Sequence, residues 1–112
     1  MRVQVWLRRL GLVGAVPNLL VDVGGQAEEI DFGWVAPRVG LEVSPFFTHG
    51  SAAQQAADAR KRRRLGLADW RIVEATDADL SDFEAFLPTA RVIATHLGVH
   101  EIGQPTTLRR AQ

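Results

Sequence analysis

Apolar residues along the chain fall into short stretches separated by glycine, proline and polar residues, and the spacing within each stretch predicts a strand or a helix. The stretches with strand-like spacing lie at residues 19–23, 28–34, 39–43 and 70–75. Helical spacing predicts helices at 6–12 and 52–65, a helical segment at 82–87, and a last helix that Pro88 opens and Gly98 closes. The order αβββαβα predicts an α/β fold with a mixed four-stranded sheet flanked by helices.

The composition fits one small globular domain. The chain has 112 residues, of which 46% are hydrophobic and 23% are charged, a balance that supports a single core. We expect this domain to span residues 1–98 and the tail 99–112, which has no clear period, to be flexible. There is no cysteine, so thiolate metal sites and disulfides are excluded. No apolar stretch is long enough to span a membrane or to form a signal peptide, so the cytoplasm is the expected location.

The second and third strands form a hairpin if residues 35–38 are a four-residue loop. This register pairs Trp34 with Val39 and places Asp31 directly opposite Glu42, with side chains alternating between two faces. The apolar face, expected to meet the core, carries Ile30, Phe32, Trp34, Val39, Leu41 and Val43. The acidic face carries Glu29, Asp31, Gly33, Gly40, Glu42 and Ser44.

The opposed carboxylates of Asp31 and Glu42 indicate a metal site. Side chains directly opposite each other on a hairpin lie about 5 Å apart at Cβ, so two carboxylates repel each other. A divalent cation such as Mg²⁺ removes that repulsion. Gly33 and Gly40 would leave the middle of the face bare, so that a bulky polyanion could approach the sheet. The alternative is a solvent-exposed sheet face on which the acids are incidental.

Positive charge is concentrated in one short segment, although the formal net charge is zero. Five of the thirteen basic residues occupy positions 60–64, in the C-terminal half of a predicted helix. One interpretation is a phosphate-contacting patch beside the acidic face. The other is a solvated helix end that the helix dipole stabilises.

Five groups of residues follow one another in a recognisable order, within a region that covers about two thirds of the chain, residues 10–80. They are Ile30-Asp31-Phe32-Gly33-Trp34, Gly40-Leu41-Glu42-Val43, Phe46-Phe47-Thr48-His49-Gly50, and Asp58 with the arginines after it, followed by the strand Trp70-Arg71-Ile72-Val73. In this combination the chain resembles the PD-(D/E)xK nuclease superfamily. Within it, the chain is most similar to the small bacterial endonuclease-like family related to very-short-patch repair endonucleases.

The resemblance implies a Mg²⁺-dependent endodeoxyribonuclease of repair or defence type. Asp31 and Glu42 would bind Mg²⁺ together with the backbone carbonyl of Val43, and His49 would act as a general acid or base. Contacts to DNA would come from aromatic residues of the loop and from the basic helix, namely Phe46, Phe47, Arg60, Arg63 and Arg64.

Two departures from the family pattern concern activity. Ser44 stands where the superfamily has lysine and this branch usually has aspartate, and serine can replace neither charge. The family's first helix usually carries a further acid, and residues 1–12 contain none. Glu29, Ser44 and Asp58 are candidates for an auxiliary role. The alternative functions are a catalytically impaired nuclease fold that binds DNA or a protein, and a structural subunit of an assembly.

Overall fold

The chain folds in the predicted order of elements. A computed structural model describes residues 2–43 and 51–102. Within these ranges the elements are α1 (Arg2–Arg9), β1 (Val16–Val23), β2 (Gln26–Trp34), β3 (Val39–Val43), α2 (Ala52–Leu67), β4 (Arg71–Ala75) and α3 (Phe83–Leu97). The predicted α/β class and the αβββαβα order are therefore confirmed.

The described strands form one mixed sheet with the order β1-β2-β3-β4. The pairs β1–β2 and β2–β3 are antiparallel, and β4 is parallel to β3. Parallel neighbouring strands need a long crossover connection. Helix α2 provides it between β3 and β4. The predicted hairpin register is confirmed from Trp34–Val39 to Phe32–Leu41.

One face of the sheet is covered by α1 and α3. Trp6 of α1 packs against α3, with its ring centroid 5.3 Å from that of Phe86. Burying an aromatic or leucine side chain stabilises the fold by about 1.5–3 kcal/mol. The hairpin residues predicted for the core face and buried here are Phe32, Trp34, Val39 and Leu41.

The other face of the sheet meets the C-terminal half of α2, and one predicted core residue lies on this side instead. Ile30 packs with Leu65 and Trp70, so its assignment to the same face as Phe32 is wrong. Residues two apart on a regular strand share a face, which means that the alternation is interrupted at Asp31. On β1, Asn18 lies opposite Asp31, between the pairs Pro17–Phe32 and Leu19–Ile30. Its φ of 52° is left-handed.

The helix ends show two further corrections. Helix α1 begins at Arg2 rather than at residue 6. The predicted helical segment at 82–87 and the last helix are one element, because Asp82 caps α3 by accepting a hydrogen bond from the Ala85 amide at 2.8 Å. Pro88 therefore lies inside α3 and not at its first position. Gly98 ends the helix in the left-handed conformation, as predicted.

Two of the first four residues of the predicted tail contact the core. Val99 and Ile102 pack against the layer formed by α1 and α3. The remainder of the tail, residues 103–112, lies outside the described ranges. None of the helices in residues 2–43 and 51–102 is long and apolar enough to cross a membrane.

Candidate functional site

The C-terminal ends of β3 and β4 bring two glutamates together beneath α2. The parallel register pairs Glu42 with Glu74, so both carboxylates are on the face of the sheet that α2 crosses. A cleft of about 270 Å³ separates this part of the sheet from the helix. Its lining residues are Glu42, Val43, Gln54, Asp58, Lys61, Arg62, Leu65, Ile72 and Glu74.

Two ion pairs cross the cleft from consecutive residues of α2. Lys61 Nζ lies 3.3 Å from Glu42 Oε2, and Arg62 Nη1 lies 3.2 Å from Glu74 Oε2. The Arg62 pair is about half exposed, whereas only 20% of the Glu42 side chain is accessible. The better-shielded pair is therefore the one at Glu42, where electrostatic effects are strongest.

Glu42 is the most perturbed acid of the site. Burial raises its pKa from 4.5 to about 7, Lys61 opposes this rise, and the negative charges of Asp31 and Glu74 add to it. Its Oε2 atom is buried and makes no well-aligned hydrogen bond with a described residue, and its charged partner is the Lys61 ammonium. An acid with a pKa near neutrality in an open cleft is typical of a functional group.

Asp31 has a different setting from the one predicted. The paired residues of the β2–β3 ladder end at Phe32–Leu41, and the Asp31 carboxylate accepts a hydrogen bond from the Val43 amide at 2.7 Å. Asp31 lines a second cleft, of about 420 Å³, on the α1 side of the sheet. Direct pairing of Asp31 with Glu42 is therefore wrong. Val43 lines both clefts, so the two acids flank the place where β2 and β3 separate.

The glycines between the two acids do not leave a bare surface. A Cβ atom on Gly40 would lie 2.7 Å from Ile72 Cδ1 and 2.8 Å from Ile30 Cγ2, and one on Gly33 would clash with Leu19. The space above both glycines is thus filled by apolar side chains beneath α2. The prediction that a polyanion approaches the sheet here is wrong, because the glycines allow close packing in the core.

The predicted DNA-contacting arginines separate into two groups. Arg60 and Arg63 are exposed on α2. Arg64 is held by the buried carboxylate of Glu28, to which its Nε donates a hydrogen bond at 2.7 Å, and its Nη2 contacts the same oxygen. Arg64 thus connects α2 to β2. Of the three predicted arginines, Arg60 and Arg63 form the exposed basic surface.

The auxiliary candidates are also separated. Asp58 lines the α2 cleft, whereas Glu29 is exposed and accepts a hydrogen bond from Asn18 Nδ2 at 3.0 Å. The predicted residues Ser44, Phe46, Phe47 and His49 lie outside the described ranges.

Sequence reasoning missed Lys61 and Glu74 as members of the site. One signal was available for Lys61, since it is the one lysine among thirteen basic residues. The position of Glu74 beside Glu42 depends on the register of two parallel strands, which residue patterns do not specify.

The donor set suits a hard cation, but it is small. Among residues 2–43 and 51–102 there is no group of three or more histidines, cysteines or acids arranged to hold a metal. The buried oxygen of Glu42 without a hydrogen bond, with the charges of Asp31 and Glu74 nearby, nevertheless fits a divalent cation coordinated by carboxylate, carbonyl and water oxygens. Comparison of the chain with models of protein families, with curated proteins and with solved structures found no match.

Proposed function

We propose that the protein is a Mg²⁺-dependent endodeoxyribonuclease of the PD-(D/E)xK type, acting in the cytoplasm on DNA phosphodiesters. The observation that carries this proposal is Glu42, whose largely shielded carboxylate lines a cleft at the end of β3. A cation at this carboxylate would remove the repulsion from neighbouring acids. The resemblance of the segments around Asp31, Glu42 and His49 to that superfamily supports the same reaction.

Each residue of the site has a distinct role in this proposal. Glu42 and Asp31 would hold the cation, together with the carbonyl of Val43. Mg²⁺, when bound, lowers the pKa of a coordinated water and screens the charge of the attacked phosphate. His49, outside the described ranges, would transfer a proton.

The exposed arginines of α2 supply the contact to DNA. Arg60 and Arg63 lie on the same helix as the cleft-lining residues Asp58 and Lys61. Arginine donors placed in this way position a nucleic-acid backbone without reading its sequence.

A nicking assay on supercoiled plasmid with Mg²⁺ tests the proposal. Asp31→Asn keeps an oxygen that can accept the hydrogen bond of the Val43 amide, so the variant should fold while losing cleavage. Glu42→Gln should lose cleavage as well. Asp22→Asn is the control, since Asp22 is an exposed acid of the same sheet, on β1, and lines neither cleft. Cleavage by the Asp31→Asn and Glu42→Gln variants at the rate of the unmodified protein would refute the assignment.

The second candidate is a catalytically impaired nuclease fold that binds DNA. Two observations favour it, because Asp31 is engaged by the backbone of Val43 and Glu42 is paired with Lys61. This function predicts DNA affinity that falls steeply with salt, and no nicking under any divalent cation. Arg60→Gln and Arg63→Gln should each reduce the salt dependence by about one phosphate contact.

A further inference from the structure

Lys61 combines two properties that single it out among the residues of the cleft. It is the one lysine of the chain, and its Nζ lies 3.3 Å from Oε2 of Glu42. The same oxygen accepts no hydrogen bond from any described residue. The ammonium is a single flexible point charge at this oxygen, without the two parallel hydrogen bonds that make an arginine–carboxylate pair rigid.

A divalent cation at Glu42 needs the space that this ammonium occupies. Mg²⁺ binds carboxylate oxygens at about 2.0–2.1 Å and keeps a shell of water around it. A dication and an ammonium at one oxygen would repel each other strongly in a shielded cleft. Lys61 must therefore leave Glu42 when the cation arrives, and its flexible four-carbon stem permits that movement.

The neighbouring ion pair is separate from that of Lys61. Glu74 lies beside Glu42 in the sheet, and it is already paired with Arg62 at 3.2 Å. Glu74 thus has its own counter-ion, and the carboxylate that pairs with Lys61 among the described residues is Glu42.

We propose that Lys61 is a tethered counter-ion of Glu42, which occupies the cation position until a divalent cation displaces it. This inference rests on the proposed function, because it takes Glu42 as a cation ligand. Lys61 then sets the cation affinity of the site, since every binding event includes the loss of one ion pair.

Nuclear magnetic resonance of protein labelled with ¹³C-lysine observes this step directly. The chain has one lysine, so the Cε–Hε signal reports Lys61 without overlap. Mg²⁺ should move this signal, and Glu42→Gln should move it in the same direction without Mg²⁺. In the Glu42→Gln variant, Mg²⁺ should then have no further effect. A signal that saturating Mg²⁺ leaves in place, although Glu42→Gln moves it, overturns the inference.

Isothermal titration calorimetry with Mg²⁺ separates this inference from the proposed function. Lys61→Gln should raise the Mg²⁺ affinity about fivefold, the factor expected when an ion pair at the upper end of the exposed range no longer competes. Arg60→Gln removes the same charge one residue away on α2 and should change the affinity by less than about twofold. Equal affinities of the unmodified protein and Lys61→Gln overturn the inference and leave the proposed function standing. Absence of Mg²⁺ binding in both proteins overturns both.

Discussion

Glu42→Gln is expected to stabilise the protein at alkaline pH. Burial raises the pKa of Glu42 from 4.5 to about 7, and the folded state therefore keeps a proton that the unfolded state releases between these two pH values. Since the folded state binds more protons in this interval, the free energy of unfolding falls as the pH rises through it. Glutamine carries no charge at any pH, so the variant does not undergo this loss.

The size of the effect follows from the two pKa values. Their difference, at 1.36 kcal/mol per pKa unit, corresponds to about 3 kcal/mol. The Glu42 side chain is 20% accessible, so solvent screening removes only part of this energy. We expect the variant to gain about 2–3 kcal/mol over the unmodified protein above pH ~8, and nothing below pH ~4.

Urea unfolding followed by tryptophan fluorescence measures this difference, because Trp6, Trp34 and Trp70 are all buried. The series should run from pH ~4 to pH ~8.5 with a chelator present, so that bound cations do not contribute. Glu29→Gln is the control, since this exposed residue can keep its hydrogen bond to Asn18. A stability difference between Glu42→Gln and the unmodified protein that is the same at both ends of the series would refute the burial argument.

Three further substitutions test the packing around the site, each by urea unfolding. Gly40→Ala should cost about 1–3 kcal/mol, because the added methyl would lie 2.7 Å from Ile72 Cδ1 and 2.8 Å from Ile30 Cγ2; a neutral result would mean that both isoleucines move aside at little cost. Arg64→Gln should cost about 1–3 kcal/mol by leaving the Glu28 carboxylate buried without its partner, and a second change, Glu28→Gln, should recover most of it. Asp82→Ala should cost about 1 kcal/mol through loss of the α3 cap. An unchanged free energy of unfolding would mean that the Asp82 side chain does not stabilise the start of the helix.

The hairpin could be predicted from the sequence because its information is local. Alternation with a period of two and a four-residue loop are enough to fix the pairs from Trp34–Val39 to Phe32–Leu41. The same rule fails at Asp31, where the side chain replaces a ladder partner by bonding the Val43 amide. Opposite Asp31 on β1, Asn18 has a left-handed φ, which strand patterns do not reveal either.

The contents of the cleft could be predicted only in part. The position of Glu42 can be predicted from the hairpin. Lys61 reaches it only because α2 packs over the end of β3, which is a tertiary contact. Helix periodicity identifies which residues share a side of α2 and cannot say which strand lies beneath them. The predicted start of the last helix at Pro88 is wrong because proline is common at the first helical position but does not occur only there. The Asp82 cap and the buried Phe86 show that α3 begins before the proline.

The hydrogen bond between Asp31 and the Val43 amide has an evolutionary consequence. An aspartate that joins two strands is retained by selection for folding, whether or not the protein cleaves DNA. Glu42 pairs with the side chain of Lys61 and not with a described backbone amide, and it carries a stability cost in its charged form. On the proposed nuclease function, a descendant that loses activity would therefore replace Glu42 first, while Asp31 persists as a residue of the scaffold.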